Sequence, residues 1–187
     1  MKKLLYFFAA IPFICLGQFD AEDTKLIDGK LYTDSYFSPE LITGEVCYKQ
    51  PTSRGGYCCW RKEIYKNGVL QLLQEYFSGD ICGKVQLIEN YNNGDRHGEI
   101  IEFFKNGLKG YYAIYQNGVQ HGEEIMWHNN GRVSSKGSYK NGQKHGVWYS
   151  YLNSGTIDSK LNYLYGNLKG EQLYYNSDGS IQGRYNY

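Results

Sequence analysis

Three histidines recur at a fixed spacing and are the first residues that could carry chemistry. His97, His121 and His145 lie 24 residues apart, each directly before a glycine. Imidazole nitrogens bind zinc at about 2.0–2.1 Å, so two ligands of one ion must lie within a few ångströms of each other. If the chain forms stacked β-hairpins, equivalent residues would lie ~10 Å apart, at two strand spacings. We therefore interpret these histidines as polar turn residues, and we expect no bound metal ion or other cofactor.

A glutamate series could supply paired carboxylates. Glu99, Glu123 and Glu171 each follow the second glycine of a recurring motif. Carboxylates about 6.5–9.5 Å apart can hydrolyse glycosides with inversion. Val147 interrupts the series, however, and these positions begin strands that should face solvent. Gly-x-Ser-x-Gly, Cys-x-x-Cys and phosphate-loop motifs are also missing from the sequence. We expect no catalytic residues and a protein that is not an enzyme.

Four cysteines follow the N-terminal segment, at Cys47, Cys58, Cys59 and Cys82. In an oxidising compartment they would form two disulfides, with three connectivities open. Pairing of the adjacent Cys58 and Cys59 is sterically poor. We expect Cys47 to pair with one of these two and Cys82 with the other, which would fasten an irregular segment onto the sheet. Four reduced thiols are the alternative.

Glycine and tyrosine recur in phase and indicate an internal repeat. Five tyrosines lie 24 residues apart, namely Tyr91, Tyr115, Tyr139, Tyr163 and Tyr187. Three glycine series keep the same step: Gly94, Gly118, Gly142 and Gly166; Gly98, Gly122, Gly146 and Gly170; Gly107, Gly131, Gly155 and Gly179. Such self-similarity is the signature of a repeat architecture.

Asn-Gly pairs decide between helix and strand. They stand at 67–68, 93–94, 106–107, 117–118, 130–131 and 141–142. Asn and Gly tolerate the positive φ that tight hairpin turns need, whereas glycine inside a helix costs roughly 1 kcal/mol. From Gly94 onward the turn glycines alternate in steps of 13 and 11 residues, which leaves one strand between turns. The predicted fold is all-β, an elongated single antiparallel sheet of β-hairpins with a 24-residue period.

The N-terminal residues have the features of an export signal. Lys2 and Lys3 precede an apolar run over residues 4–16, which is too short for a membrane span of about 20 residues. Cleavage after Gly17 is the main interpretation, and a lipoprotein signal using Cys15 or an uncleaved anchor are the alternatives. We predict a periplasmic, envelope-associated or secreted protein with a signal peptide at 1–17, a cap with a cysteine-containing insertion at 18–59 and a repeat array at 60–187.

Composition narrows the function classes. The formal net charge of the 187 residues is +1 and no basic stripe is visible, so nucleic-acid binding is not expected. Aromatic residues make up 17% of the chain, which argues against disorder.

The repeat motif resembles the MORN repeat, in particular the bacterial variant of YwqK-family antitoxins. The likeness covers about residues 60–187 and is carried by Tyr91-Asn-Asn-Gly94-Asp-Arg-His-Gly98 and by the same pattern at 115–122, 139–146 and 163–170. The resemblance implies an elongated, twisted antiparallel sheet that acts as a scaffold or contact surface. It also implies a toxin partner, which an exported chain would not meet in the cytoplasm, so we adopt the fold and not the antitoxin function.

Two surfaces are candidates for partner binding. Matching strand positions carry aromatic rings, Phe103, Trp127, Tyr151 and Tyr175, and these could stack on a partner or simply pack within the sheet. The last predicted strand, residues 180–187, would leave an open edge with Arg184 as its charge, which invites strand addition or self-association. We predict a non-enzymatic scaffold for a partner protein or envelope component. A lipid-headgroup- or glycan-binding module and an antitoxin-like protein are the alternatives.

Overall fold

The computed structural model describes residues 24–27, 30–33, 44–51, 57–66, 69–77 and 83–187. The predicted signal segment with Cys15 lies outside these residues, as do Cys82 and the side chain of Cys58. Within them the chain forms strands and no helix: β1 Thr24–Ile27, β2 Lys30–Thr33, β3 Gly44–Pro51, β4 Tyr57–Lys66, β5 Val69–Tyr76, β6 Val85–Asn92, β7 Asp95–Phe103, β8 Lys109–Gln116, β9 Val119–Trp127, β10 Val133–Lys140, β11 Gln143–Tyr151, β12 Ile157–Leu164, β13 Asn167–Leu168, β14 Glu171–Tyr175 and β15 Ile181–Asn186.

Thirteen of these strands form one antiparallel sheet in which sheet order follows chain order. The order runs from β3 through β12 to β14 and β15, and the short β13 also pairs with β12. Each strand makes its extensive contacts with the strands beside it. The prediction of an all-β antiparallel sheet built from successive hairpins is therefore confirmed.

The prediction of a single sheet was incomplete, because β1 and β2 form a separate two-stranded sheet. Ile27 pairs with Lys30, so two residues connect the strands. The sequence between them is Asp28-Gly29, a pair favoured in two-residue hairpin loops. This small sheet falls in the segment predicted as a cap, and β2 contacts β5. The segment predicted as cap and cysteine-containing insertion, 18–59, also holds β3 and the start of β4, and β3 forms one edge of the main sheet.

Two-residue turns join β6 to β7, β8 to β9, β10 to β11 and β12 to β13. Both turn residues have positive φ, as at Asn93 (52°) and Gly94 (89°), and the same holds at 117–118, 141–142 and 165–166. Asn and Gly reach this conformation at little cost, which explains the Asn-Gly pairs. The fourth turn departs from the pattern because Tyr165 stands in the Asn position with φ of 51°.

Longer turns close the other ends of the hairpins. In the turn over residues 104–108 the Phe104 N–H donates to the Leu108 carbonyl at 2.8 Å, and the Gly107 N–H donates to the Phe104 carbonyl at 2.8 Å. Turns over 128–132, 152–156 and 176–180 repeat both bonds. The register shifts by one residue directly beside each turn, as at Glu102/Phe103. Such bulges increase the local twist of a strand.

Neighbouring hairpins are tied together at the two-residue turns. The Gly118 N–H donates to the Arg96 carbonyl at 2.9 Å, and the N–H groups of Gly142 and Gly166 donate to the carbonyls of Gln120 and Lys144 at the same distance. Each bond satisfies a turn amide with a carbonyl of the preceding hairpin. The turns therefore form a stacked edge of the sheet rather than independent loops.

Candidate functional site

The strand register assigns side chains to the two sides of the main sheet, because paired residues on antiparallel strands point to the same side. Tyr111 pairs with Met126, and Ala113 pairs with Glu124, so all four share one side. We call it the tyrosine side because it also carries Tyr91, Tyr115, Tyr139 and Tyr163.

A row of paired residues crosses the middle of the tyrosine side from β3 to β12. Its members are Val46, Glu63, Leu73, Glu89, Ile100, Ala113, Glu124, Gly137, Trp148 and Leu161. Seven of the side chains, from Val46 to Glu124, are at most 6% exposed, and three of those seven are carboxylates. A buried carboxylate is tolerated only where partners satisfy its oxygens, so the contacts of these three define the site.

The carboxylate of Glu63 connects side chains of β3 and β4 on the tyrosine side. Its Oε2 atom accepts hydrogen bonds from the hydroxyls of Tyr48 and Tyr65, both at 2.8 Å. Its Oε1 atom accepts from Nε of Arg61 at 2.7 Å. Arg61 also lies over the Tyr48 ring, 5.8 Å from its centroid. Three donors thus satisfy a carboxylate that is 3% exposed.

Glu89 on β6 has a smaller version of the same arrangement. The Tyr91 hydroxyl donates to Oε2 at 2.6 Å, and Nη2 of Arg96 lies 2.7 Å from Oε1. The guanidinium of Arg96 lies 5.8 Å from the ring centroid of Tyr115 on the next hairpin. The ion pair lies within one hairpin, and the contact of Arg96 with the Tyr115 ring joins that hairpin to the next.

Glu124 on β9 is satisfied by neutral donors. The Tyr111 hydroxyl donates to Oε2 at 3.0 Å, and Nε2 of Gln120 donates to the same oxygen at 2.7 Å. No cation within 4.0 Å of this carboxylate is found among the described residues.

Trp148 replaces a carboxylate in the next part of the row. Its indole lies on Gly137, where a Cβ atom would collide with the ring. Tyr139 and Tyr163 meet the indole edge to face, with centroids at 5.3 and 6.3 Å. The Lys144 ammonium lies 4.1 Å from the indole centroid and 5.3 Å from that of Tyr163. This aromatic box places a cation on rings instead of on a carboxylate.

Burial beside carboxylates suppresses ionisation of the tyrosines. Burial, with the hydrogen bond to Glu63 and the charge of Glu63, raises the pKa of Tyr48 to about 12. Burial and the same carboxylate raise the pKa of Tyr65 well above its usual range. Burial with Glu89 raises the pKa of Tyr91, and burial with the charge of Glu124 raises that of Tyr111. These hydroxyls are held as donors to the buried oxygens.

Two adjacent open depressions interrupt the tyrosine side. The first, of about 290 Å³, is lined by residues of β8 to β12, including Tyr111, Glu124, Ser135, Lys144, Ser150 and Ser159. The second, of about 450 Å³, is lined by residues of β7 to β10, including Glu102, Phe103, Gly110 and Trp127. Tyr111 and Met126 line both depressions, so they form a shared wall.

The four residues of the predicted aromatic surface stand at equivalent strand ends, beside the longer turns. Phe103 and Trp127 line the second depression together, whereas Tyr151 and Tyr175 are not among its lining residues. The Tyr151 ring stacks on that of Tyr149, with centroids 6.3 Å apart. Arg184 is on the edge strand β15, and its Nη1 atom lies 3.1 Å from Oε1 of Glu171 on β14.

The periodic histidines are the third residues of β7, β9 and β11, so they lie in strands directly after the two-residue turns and not in the turns as predicted. The first two contact the turn of the following hairpin. Nδ1 of His97 is 3.2 Å from Oδ1 of Asn117, and the backbone N–H of Asn117 donates to the same Nδ1 at 3.4 Å. His121 and Asn141 repeat both distances. The third histidine breaks the series, because Nδ1 of His145 is buried without a hydrogen-bond partner.

The remaining predicted positions have simple environments. Glu99, Glu123 and Glu171 are exposed, and Glu99 accepts a hydrogen bond from the Tyr112 hydroxyl at 3.0 Å. Cys47 forms a disulfide with Cys59, with Cα atoms 5.8 Å apart, which selects one of the two partners left open by the sequence. Cys82 and the side chain of Cys58 lie outside the described residues, so the second disulfide stays a prediction.

Sequence reasoning missed the buried carboxylates. A Glu-x-Tyr pattern at 63–65 and 89–91 would have indicated two of them. In a strand, residues two apart share a side, and the tyrosine hydroxyl returns to the glutamate in both cases. Glu124 has no such signal, because its partner Tyr111 is on the neighbouring strand.

Within the part of the chain that the structure describes, no three His, Cys, Asp or Glu side chains are grouped so that they could hold a metal ion. The described residues also include no helix long and apolar enough to cross a bilayer. No protein-family model matches the sequence, and no curated protein matches it.

Proposed function

We propose that this chain is an exported, non-enzymatic scaffold of the MORN-repeat type, which binds a partner protein or envelope component on the tyrosine side of an elongated sheet. The observation that carries the proposal is the row of buried carboxylates. Glu63, Glu89 and Glu124 bind the hydroxyls of surface tyrosines, so the tyrosines are fixed in place and their rings offer an ordered aromatic surface. Tyr and Trp rings supply large contact area at low entropic cost.

The repeat assignment is supported by the positions of the turns. Asn93, Asn117 and Asn141 have nearly equal positive φ, between 49° and 52°, and lie 24 residues apart. Each is followed by a glycine. At the second and third of these turns, the glycine N–H donates to a carbonyl of the preceding hairpin. A sheet assembled from such units exposes much of its surface on two sides, as a scaffold requires.

Export is supported by the disulfide between Cys47 and Cys59. Disulfides persist in oxidising compartments and are rare in the cytosol. Together with the basic and apolar N-terminal segment, this bond favours a location outside the cytoplasm.

Capture from envelope fractions tests the proposal. The full chain is immobilised and bound proteins are identified by mass spectrometry. We expect a defined partner that is retained by Lys160→Ala, on the opposite side, and lost with Met126→Asp, on the tyrosine side. Arg184→Pro tests the edge, since proline removes the backbone donor that an added strand would use. Capture that none of the variants changes would contradict the proposal.

A further inference from the structure

Beyond scaffolding, we propose that the first depression is a subsite for one neutral sugar ring of a glycan. It is a mixed polar and aromatic hollow of about 290 Å³ on the tyrosine side, between β8 and β12. A hollow with aromatic walls and a few convergent polar groups is the usual form of a small-ligand site. The nature of those groups selects the ligand.

The floor of the depression is a row of serines. Ser135 pairs with Ser150, and Ser150 pairs with Ser159, so three hydroxyl-bearing residues lie side by side on adjacent strands. Larger residues flank the row, since Met126 pairs with Ser135 and Tyr174 pairs with Ser159. The depression exists because small side chains stand where the flanking strands carry large ones. Serine hydroxyls both donate and accept hydrogen bonds.

The charges of the depression cancel. Lys144 supplies an ammonium that lies on the rings of Trp148 and Tyr163. Glu124 supplies a carboxylate that already accepts from Tyr111 and Gln120. The Glu124 carboxylate would repel an anionic ligand, and the Lys144 ammonium would repel a cationic one. A neutral ligand with donors and acceptors can use both.

A pyranose ring has these properties. Its hydroxyls donate to a carboxylate, accept from an ammonium and exchange either kind of bond with Ser135. The other two serines of the row contribute less, because the Ser150 hydroxyl already donates to Asp158 at 2.8 Å and its oxygen lies 2.7 Å from that of Ser159. Its C–H faces are apolar and can pack on the tyrosine rings of the walls. Free phosphate lacks the apolar face, and a quaternary ammonium ion lacks the hydroxyls.

The second depression extends the subsite. It shares Tyr111 and Met126 with the first and adds the aromatic residues Phe103 and Trp127. Neighbouring hollows separated by one shared wall suit consecutive rings of a chain. We therefore expect an oligosaccharide to bind more tightly than a single sugar.

Calorimetric titration of the full chain tests the subsite. The probes are cellotetraose, maltotetraose and chitotetraose as neutral chains, glucose as a single ring, tetragalacturonate as an acidic chain, and choline and inorganic phosphate as ions. We expect saturable binding of at least one neutral tetrasaccharide, at least tenfold weaker binding of glucose, and no binding of choline or phosphate.

Variants locate the binding. Ser135→Leu fills the depression, and Lys136→Leu is its matched control because Lys136 is the next residue and faces the opposite side. Lys144→Met removes the ammonium donor without adding bulk. We expect at least a tenfold loss for Ser135→Leu and Lys144→Met and none for the control. Absence of binding by every neutral tetrasaccharide, preferred binding of a charged probe, or binding that neither Ser135→Leu nor Lys144→Met weakens would overturn the subsite, and none of these results bears on protein capture.

Discussion

The indole of Trp148 lies on the backbone of Gly137, in the space that a side chain at that position would fill. Gly137 is opposite Glu124 on one neighbouring strand, and on the other the register shifts between Lys136 and Ser138. The missing side chain and the shift together let a large ring enter the row of buried residues. Trp148 is 5% exposed as a result, and its Nε1 donates to the Ser138 carbonyl at 3.2 Å.

Gly137→Ala should therefore lower the free energy of unfolding by about 1–3 kcal/mol, the usual cost of overpacking. The atom that blocks the new methyl group belongs to a rigid buried ring, which cannot move aside cheaply. Urea denaturation of the wild type and the variant measures the change. In a Trp148→Leu background the same substitution should cost less, and an equal cost in both backgrounds would show that the ring is not the cause.

The buried carboxylate of Glu124 should matter far more than the exposed one beside it. Glu124→Ala leaves the Tyr111 hydroxyl and the Gln120 amide without their acceptor, and an unsatisfied buried donor costs about 1–3 kcal/mol. Glu123→Ala, at an exposed position, should change stability by less than about 0.5 kcal/mol. Chemical denaturation compares the two variants. Similar losses for both would mean that the polar row does not support the sheet.

Tyr165→Asn should stabilise the protein. A bulky residue with φ of 51° is strained by roughly 1–2 kcal/mol, and Asn tolerates this conformation better. Asn would also offer Nδ1 of His145 the partner that Asn117 offers His97 and Asn141 offers His121. We expect a gain of about 1 kcal/mol in thermal or urea unfolding. The reverse substitution, Asn141→Tyr, should cost a comparable amount, and a loss of stability in Tyr165→Asn or a gain in Asn141→Tyr would refute this explanation.

The protein should lose stability in alkali. The pKa of Tyr48 is about 12 in the folded protein against 10 for a free tyrosine, because of burial and Glu63. Above pH 10 the unfolded chain releases this proton while the folded chain keeps it, so the free energy of unfolding falls as the pH rises from 10 towards 12. Below pH 10 the contribution is fully present. Tyr65, Tyr91 and Tyr111 act in the same direction.

Absorbance of tyrosinate near 295 nm, measured together with urea unfolding at each pH, checks this prediction. One group of tyrosines should ionise only when the sheet unfolds, and Tyr48→Phe should reduce the loss of stability between pH 10 and 12. Ionisation of all tyrosines near pH 10 in a sheet that stays folded would contradict it.

Local backbone demands made the strand order predictable. Asn93-Gly94 and its equivalents mark turns because only a few residues accept positive φ, and alternation between turns then leaves one strand. The histidines were predicted as turn residues, but they are the third residues of β7, β9 and β11, directly after the turns. Their partners could not be foreseen, since His97 bonds to a turn 20 residues later.

The buried carboxylates could not be read from the pattern. A glutamate in a strand normally faces solvent, and its burial here depends on tyrosines that come from the same strand at Glu89 and from the neighbouring strand at Glu124. The first depression likewise arises from three serines brought together by register. Such side-to-side combinations are properties of the assembled sheet and not of any one strand.

Photo-cross-linking from adjacent strands tests the claim that the tyrosine side is the contact surface. Benzoylphenylalanine replaces Met126, which is 40% exposed and lines both depressions, or Lys136, which is exposed on the opposite side. Each protein is irradiated with the envelope fraction from which the partner is captured. A covalent adduct from position 126 and none from position 136 is the predicted result. An adduct from position 136 alone, or from neither position while capture persists, would contradict the account.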